Sequence, residues 1–325
     1  MKKIFTLVAM ALIAVGVNAQ ELPENVYPIK SITWKDITWK NGNNKKDKDN
    51  ADMYFLMGTG NGYEKVYAEE IITDGEPTGT YRPYYTYVDY EKGETGIPSY
   101  GLYYKFTPSA AGVLKVQVWV NKGNRKTFVV DAATGTPLTP WTDYTFDGYV
   151  NGQNQEGTQI PIYFTAAEIQ ARSTNASKYV LDAGNQAIWG WLNINVEAGK
   201  SYVVYQQTSQ IGFGGFQLND GEKYVASPEG GLAAEFKAVV DADGKATNVT
   251  DRGSVVTFTT AGVEVEAVGS SDPKEVTPDR DTDGIATVKA ATLNANAPMY
   301  NLAGQQVDAA FKGMVIQDGK KFVNK

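Results

Sequence analysis

The octet VLKVQVWV at 113–120 places Leu114, Val116, Val118 and Val120 on one side of an extended chain and Lys115, Gln117 and Trp119 on the other. That period of two belongs to a strand with one apolar face. The nonamer IWGWLNINV at 188–196 repeats the device: Ile188, Leu192, Ile194 and Val196 claim one face, and Trp189, Trp191, Asn193 and Asn195 share the other. Further β-type runs at 53–57, 63–72, 81–90, 100–107, 126–131, 141–150 and 159–165 are punctuated by Gly, Pro, Asn and Asp, and helix-period segments are scarce. Many short strands at this spacing predict an all-β sandwich or barrel. The exception is TAAEIQAR at 165–172, where Thr165 as cap and Glu168 three residues on have capping-box spacing and predict a short helix between strands. Later runs at 234–241, 246–249, 254–260 and 263–268 either close the same sandwich or form a satellite over 224–269.

The first residues are not part of that body. Lys2 and Lys3 precede an apolar stretch at 4–15, and Val17, Asn18 and Ala19 supply small residues before Gln20, so 1–19 reads as a secretory signal peptide. No stretch reaches the roughly 20 apolar residues of a membrane-spanning helix. The expected address is exported: extracellular or cell surface, with the periplasm as the alternative. With no cysteine there are no disulfides, no thiol chemistry and no site for lipid attachment after the signal. With no histidine there are no Ser-His-Asp triads and no His-ligated zinc, so catalysis would have to use Asp, Glu, Tyr, Lys or Arg. The net charge of −7 becomes −9 once Lys2 and Lys3 are removed, and that sign argues against nucleic acid as a partner.

Two segments punctuate the end of the chain. The stretch 270–284 is a linker by composition, and we take the whole linker as 270–297. Inside it Asp279, Asp281, Asp283 and Gly284 match the first half of a calcium loop, but Ala290 stands where the bidentate Glu belongs, so a calcium ion is not favoured and no other cofactor is indicated. Near the N-terminus, Trp34 and Trp39 are an odd offset apart and cannot share one face of an unbroken strand; 41–52 reads as a polar loop.

The face opposite the apolar one is where a ligand would bind. Trp189 and Trp191 are two apart on one strand, about 6.5 to 7 Å, which suits stacking on neighbouring sugar rings, while Asn193, Asn195 and, on the other strand, Gln117, Lys115 and Trp119 supply hydrogen bonds and further apolar surface. Ordinary packing is the competing reading, since Trp is usually mostly buried. Tyr81, Tyr85, Tyr87 and Asp89 share another strand face, a weaker signal because Tyr is a common β former. Gly212, Gly214 and Gly215 do not form a phosphate loop, because Gln217 occupies the last glycine position and no helix follows; they fit a bulge or a close backbone approach.

The run GKSYVVYQQTSQIGFGGFQL at 199–218 reads as two strands, 202–207 and 211–218, joined as an antiparallel hairpin. Through Gly199, Lys200, Tyr202, Gly215 and Phe216 it resembles the closing strands of jelly-roll modules attached to secreted pectate and other polysaccharide lyases, with Gly214 in place of an aromatic. The resemblance implies a jelly-roll-like sandwich, residues 20–269, that accompanies carbohydrate-active enzymes. MYNLAGQQV at 299–307 and KGMVIQDGKKFV at 312–323 are similar to the C-terminal sorting-type β domains of proteins exported by the type IX pathway, and Asp318 and Gly319 suit a two-residue hairpin turn. We therefore expect a small C-terminal β hairpin domain at 298–325. The functional expectation is non-catalytic binding of a polysaccharide or other glycan by aromatic stacking. The alternatives are a structural or adhesive surface protein and, third, an acid-base glycosidase or lyase.

Overall fold

The computed structural model describes residues 22–34, 40–41, 56–57, 62, 64–153, 159–173, 177–208, 210–225, 249–250, 253–269, 273–280, 297–308, 310–317 and 320–324. Residues 1–19, read above as a signal peptide, Trp39, the run at 234–241, Asp281 and Asp283 lie outside them. Chain packing divides the molecule after Pro278 into two units.

The first unit opens with β1 (Val26–Tyr27), β2 (Ile29–Trp34), β3 (Lys40–Asn41), β4 (Leu56–Met57), β5 (Lys65–Thr73) and β6 (Glu76–Thr86). The sandwich proper follows: β7 (Leu102–Pro108), β8 (Gly112–Val120), β9 (Thr127–Asp131), β10 (Tyr144–Gln153), β11 (Gln159–Phe164), α1 (Ala166–Arg172), β12 (Ile188–Val196), β13 (Tyr202–Gln206), β14 (Ile211–Leu218), β15 (Lys223–Val225), β16 (Val249–Thr250), β17 (Gly253–Thr260) and β18 (Val263–Gly269). One sheet runs β11-β10-β12-β8-β14-β4-β3 with β15 on β14, and the other runs β16-β17-β18-β7-β13-β9. From β7 to β10 the chain alternates between the two sheets, as it does again from β12 to β14, the crossing pattern of a jelly-roll-like sandwich.

The alternation in the sequence decides what lies between the sheets. Leu114, Val116, Val118 and Val120 of β8 and Ile188, Leu192, Ile194 and Val196 of β12 all enter one buried cluster with Tyr104, Phe106 and Val204 of the facing sheet. Phe213 of β14 touches both Tyr104 and Phe106, with ring centroids 5.0 and 5.3 Å apart. Phe213 and Phe216 are an odd number of residues apart and would point to opposite faces of a regular strand. A bulge between Phe213 and Gly215 resets the register, so both rings reach the core and lie parallel within 2°. Gly215 has φ 139°, a backbone that favours glycine, and this is the use of the glycine-rich run.

Two expectations need correction, and one open alternative falls away. β13 and β14 do not form a hairpin: β13 pairs with β7 and β9, β14 with β8, β4 and β15, so the segment between them crosses from one sheet to the other. Both strands are almost wholly buried, and a continuous apolar run marks a strand covered on two sides rather than the half-buried arm of a hairpin. The stretch 253–269 is no satellite, because β18 pairs along its length with β7 and extends the main sheet. The linker begins later than composition indicates: β19 (Pro273–Pro278) pairs with β2, and its Val276 packs with Val66 and Ala68. With proline at both ends, β19 is suited to an edge position, and only Val276 carries its apolar signal.

The helix forms as expected. Thr165 Oγ1 accepts the Glu168 N–H and Thr165 N–H donates to Glu168 Oε2, a complete capping box. Arg172, in its last turn, pairs with the buried Asp182 at 2.5 Å and lies 4.2 Å from the centre of the Phe164 ring, tying α1 to β11.

The second unit is an antiparallel sheet of β20 (Met299–Asn301), β21 (Gln306–Val307), β22 (Gly313–Gln317) and β23 (Lys320–Asn324), in the order β21-β20-β22-β23. Asp318 and Gly319 lie outside the described residues; Gln317 stands opposite Lys320, the register a two-residue connection requires.

A chain without histidine has few groups to titrate near neutrality. Burial raises the Tyr90 hydroxyl to about 12 and pushes up Tyr104, Tyr144 and Tyr205 as well. On the acid side, hydrogen bonds from Arg82, Lys92 and Lys126 lower Glu69, Asp89 and Glu91 respectively. A raised tyrosine stabilises the fold fully below the unfolded value of about 10 and loses that contribution as pH climbs through the folded one; a lowered carboxylate loses its contribution as pH falls below about 4. The expected melting temperature is flat between about pH 6 and 9 and falls steeply above about 10. A step in stability near pH 6.5 would contradict this.

Candidate ligand-binding face

The strands β10, β12, β8 and β14 turn one set of side chains inward and the alternate set outward, and their register aligns the outward set in three cross-strand rows. The first runs Tyr163, Tyr149, Trp189, Trp119, Gly212. The second runs Asp147, Trp191, Gln117, Gly215, and the third Thr145, Asn193, Lys115, Gln217, Lys223. Strands about 4.8 Å apart and residues about 6.8 Å apart along each strand set the spacing of this grid.

The first row is closed over Tyr149, Trp189 and Trp119, while Tyr163 at its edge is exposed. Trp189 is 1% exposed and Trp119 9%, although both face away from the sandwich core. Their rings lie 5.5 Å apart, Tyr149 lies nearly parallel to Trp189 at 6.3 Å, and Tyr163 adds a contact to Tyr149 at 4.8 Å. Large rings on adjacent strands shield one another, and Ala187 packs against the cluster. Trp189 and Trp191 do share the outward face, as alternation requires, but they do not form an exposed pair: Trp191 alone is partly open. Gln117 is buried as well, at 1%.

The second and third rows are the open part. Lys223 on the edge strand β15 holds its ammonium 4.9 Å from the centre of the Trp191 ring. Such a contact at an exposed position is worth about 0.5 to 1 kcal/mol, so it is weak enough to be displaced. Asn193 Nδ2 donates to Asp147 Oδ1 at 2.7 Å, which fixes both side chains beside the indole. Asn193, Asp147, Lys115 and Thr145 are half-buried, while Asn195 is exposed, its amide 3.5 Å from the Thr142 carbonyl. An aromatic surface edged by a fixed amide and carboxylate and by mobile ammonium groups can stack on an apolar ring face while exchanging hydrogen bonds with hydroxyls.

Of the residues expected from sequence, Trp191, Asn193, Asn195 and Lys115 lie on this open surface, and Trp189, Trp119 and Gln117 underpin it. Asp147, Thr145 and Lys223 complete it, and sequence reasoning passed them over. TFDGY at 145–149 does alternate, with Thr145, Asp147 and Tyr149 opposite Phe146, but its place beside β12 is a matter of strand order. Asp147 is the one carboxylate among the outward positions of these rows, where glycoside hydrolysis by the usual route needs two. Among the described residues there is no group of three acids able to hold a metal ion; Asp279 is described and its would-be partners are not. Among the described residues no helix is long and apolar enough to cross a membrane. No family model matches the chain, and neither a curated protein nor a solved structure does.

Proposed function

We propose that this chain is an exported, non-catalytic carbohydrate-binding protein that lays a glycan across the open rows of its eight-stranded sheet. The observation that carries the reading is the half-buried Trp191, set among Asp147, Asn193 and Lys115 with Lys223 as a displaceable cover. The chain's net negative charge favours a neutral polysaccharide over a polyanionic one. The resemblance to modules that accompany polysaccharide lyases supports the same ligand class, and the leader and the sorting-type tail support an extracellular or surface address.

One observation favours a second reading, a structural or adhesive surface protein without glycan affinity. Trp189 and Trp119, the larger part of the aromatic surface on this face, are spent on packing. A glycan array followed by pull-down on the captured polysaccharide, with wild type and Trp191→Ala, separates the two. We expect capture of a neutral polysaccharide and a loss of about tenfold or more in Trp191→Ala, which corresponds to at least about 1.4 kcal/mol. An array on which the wild-type protein captures nothing would leave the structural reading in place.

A further inference from the structure

A cavity lies on the other side of the sandwich. The cavity has a volume of about 450 Å³ and sits between the segment following β6 and the outer face of the six-stranded sheet. Tyr85, Tyr87, Tyr90 and Phe128 are its aromatic lining, with Tyr90 and Phe128 themselves almost wholly buried. Asp89, Glu91, Glu94, Lys92, Lys126 and Gln207 give it a polar rim. We propose that this cavity binds the end of a neutral sugar chain, one or two residues long, independently of the face that carries Trp191.

Charge selects the class of ligand. Lys92 pairs with Asp89 at 2.9 Å and Lys126 with Glu91 at 2.5 Å, so each ammonium already has its own carboxylate and no cationic group is left over for an anion. Three carboxylates against two lysines leave the rim with one net negative charge, which opposes an anion, and the third carboxylate, Glu94, already accepts the Asp89 N–H, so none stands unengaged to draw a cation. What remains on each ion pair is spare hydrogen-bonding capacity: an ammonium has three donors and a carboxylate about four acceptor positions. Neighbouring hydroxyls on a sugar ring give and accept at the same time and match such a rim, and the ring's C–H face matches tyrosine. Size selects the length, because this volume is at the lower end of ligand pockets and encloses a chain end rather than a polymer lying flat.

The cavity is also pre-formed. The turn Tyr90–Lys92 ends at Gly93 with φ 83°, Lys92 N–H and Glu94 N–H both donate to the Asp89 carbonyl, and Asp89 N–H donates to Glu94 Oε2 at 2.8 Å. Tyr205 donates its hydroxyl to that of Tyr90, which donates to the Gly96 carbonyl at 2.6 Å, while Tyr90 meets Phe128 edge to face at 4.7 Å. Binding therefore needs little ordering of the protein. The face of Tyr81, Tyr85, Tyr87 and Asp89 is visible in the sequence; Lys126 and Gln207 reach it only through the fold.

The test is a titration of isotope-labelled protein with glucose, xylose, galactose, cellobiose and lactose, followed by backbone amide shifts. At least one of these sugars is expected to give saturable shifts at 85–94, 126–128 and 207, with a dissociation constant of about 10 mM or tighter. The double variant Glu91→Gln with Gln207→Ala is expected to weaken that binding about tenfold, with a lower melting temperature from the lost Lys126 ion pair but the same fold by its amide spectrum. Shifts centred on the Trp191 indole, no saturable shift with any of the five, or preferential binding of choline or inorganic phosphate in the cavity would each overturn the proposal. The shift map of the wild-type protein decides the matter even if the double variant folds poorly.

Discussion

Replacing Trp189 by alanine is expected to lower the stability of the sandwich by about 3 to 5 kcal/mol, the range for truncating a buried tryptophan. Trp189 is 1% exposed and sits between Tyr149 and Trp119, so its removal opens a cavity in the closed row and strips both neighbours of their contact. Alternation alone leads to the opposite expectation, a harmless change at an outward position. Trp191, two residues on and partly open, is expected to lose far less on truncation, about 1 kcal/mol or under. Urea unfolding of the two single variants checks this. A Trp189→Ala protein as stable as Trp191→Ala would show that the closed row does not support the sheet.

Gly190→Ala is the second substitution with a large expected effect. Gly190 stands directly opposite Gly148 on the inward side of β12 and β10. A Cβ added at Gly190 would lie 2.0 Å from the Asp147 carbonyl oxygen and 2.5 Å from Gly148 Cα, and one added at Gly148 would lie 2.0 Å from the Trp189 carbonyl oxygen. Backbone atoms on both sides leave no flexible side chain to give way, so the strands must separate where Asp147 and Trp191 stand side by side. The expected cost is about 3 kcal/mol or more, at the upper end for overpacking. Gly199→Ala is the comparison: φ is 73° there but nothing lies within 4 Å of the added Cβ, so only backbone strain of about 1 kcal/mol is expected. Equal melting temperatures for the two variants would contradict the close approach.

Local patterns were legible in the sequence to the extent that their causes are local. The inward faces of β8 and β12 follow from a period of two, the capping box from Thr165 and Glu168, and the bulge from glycines beside two phenylalanines that both seek the core. The hairpin reading of 202–218 failed because turn-like residues between two β runs do not say whether the chain returns to the same sheet or crosses to the facing one. Val276 alone could not mark β19 as a strand, since its partner β2 lies some 240 residues earlier. The burial of Trp189 was hidden for the same reason: alternation assigns a side of the sheet, whereas cover depends on which aromatic rings neighbouring strands set beside it. Asp147 and Lys223 join Trp191 only once β10, β12, β8, β14 and β15 are in order.

On the reading proposed above, one outward tryptophan meets ligand while its neighbours hold the sheet. The protein has six tryptophans, and their indole N–H resonances can be followed singly in labelled protein while cellohexaose, xylohexaose and mannohexaose are added. The expected result is a saturable shift of the Trp191 resonance with one of these oligosaccharides, while those of Trp119 and Trp189 stay in place and exchange slowly with deuterated solvent. A Trp191 resonance unmoved by all three, or shifts of Trp119 and Trp189 in its stead, would contradict the account.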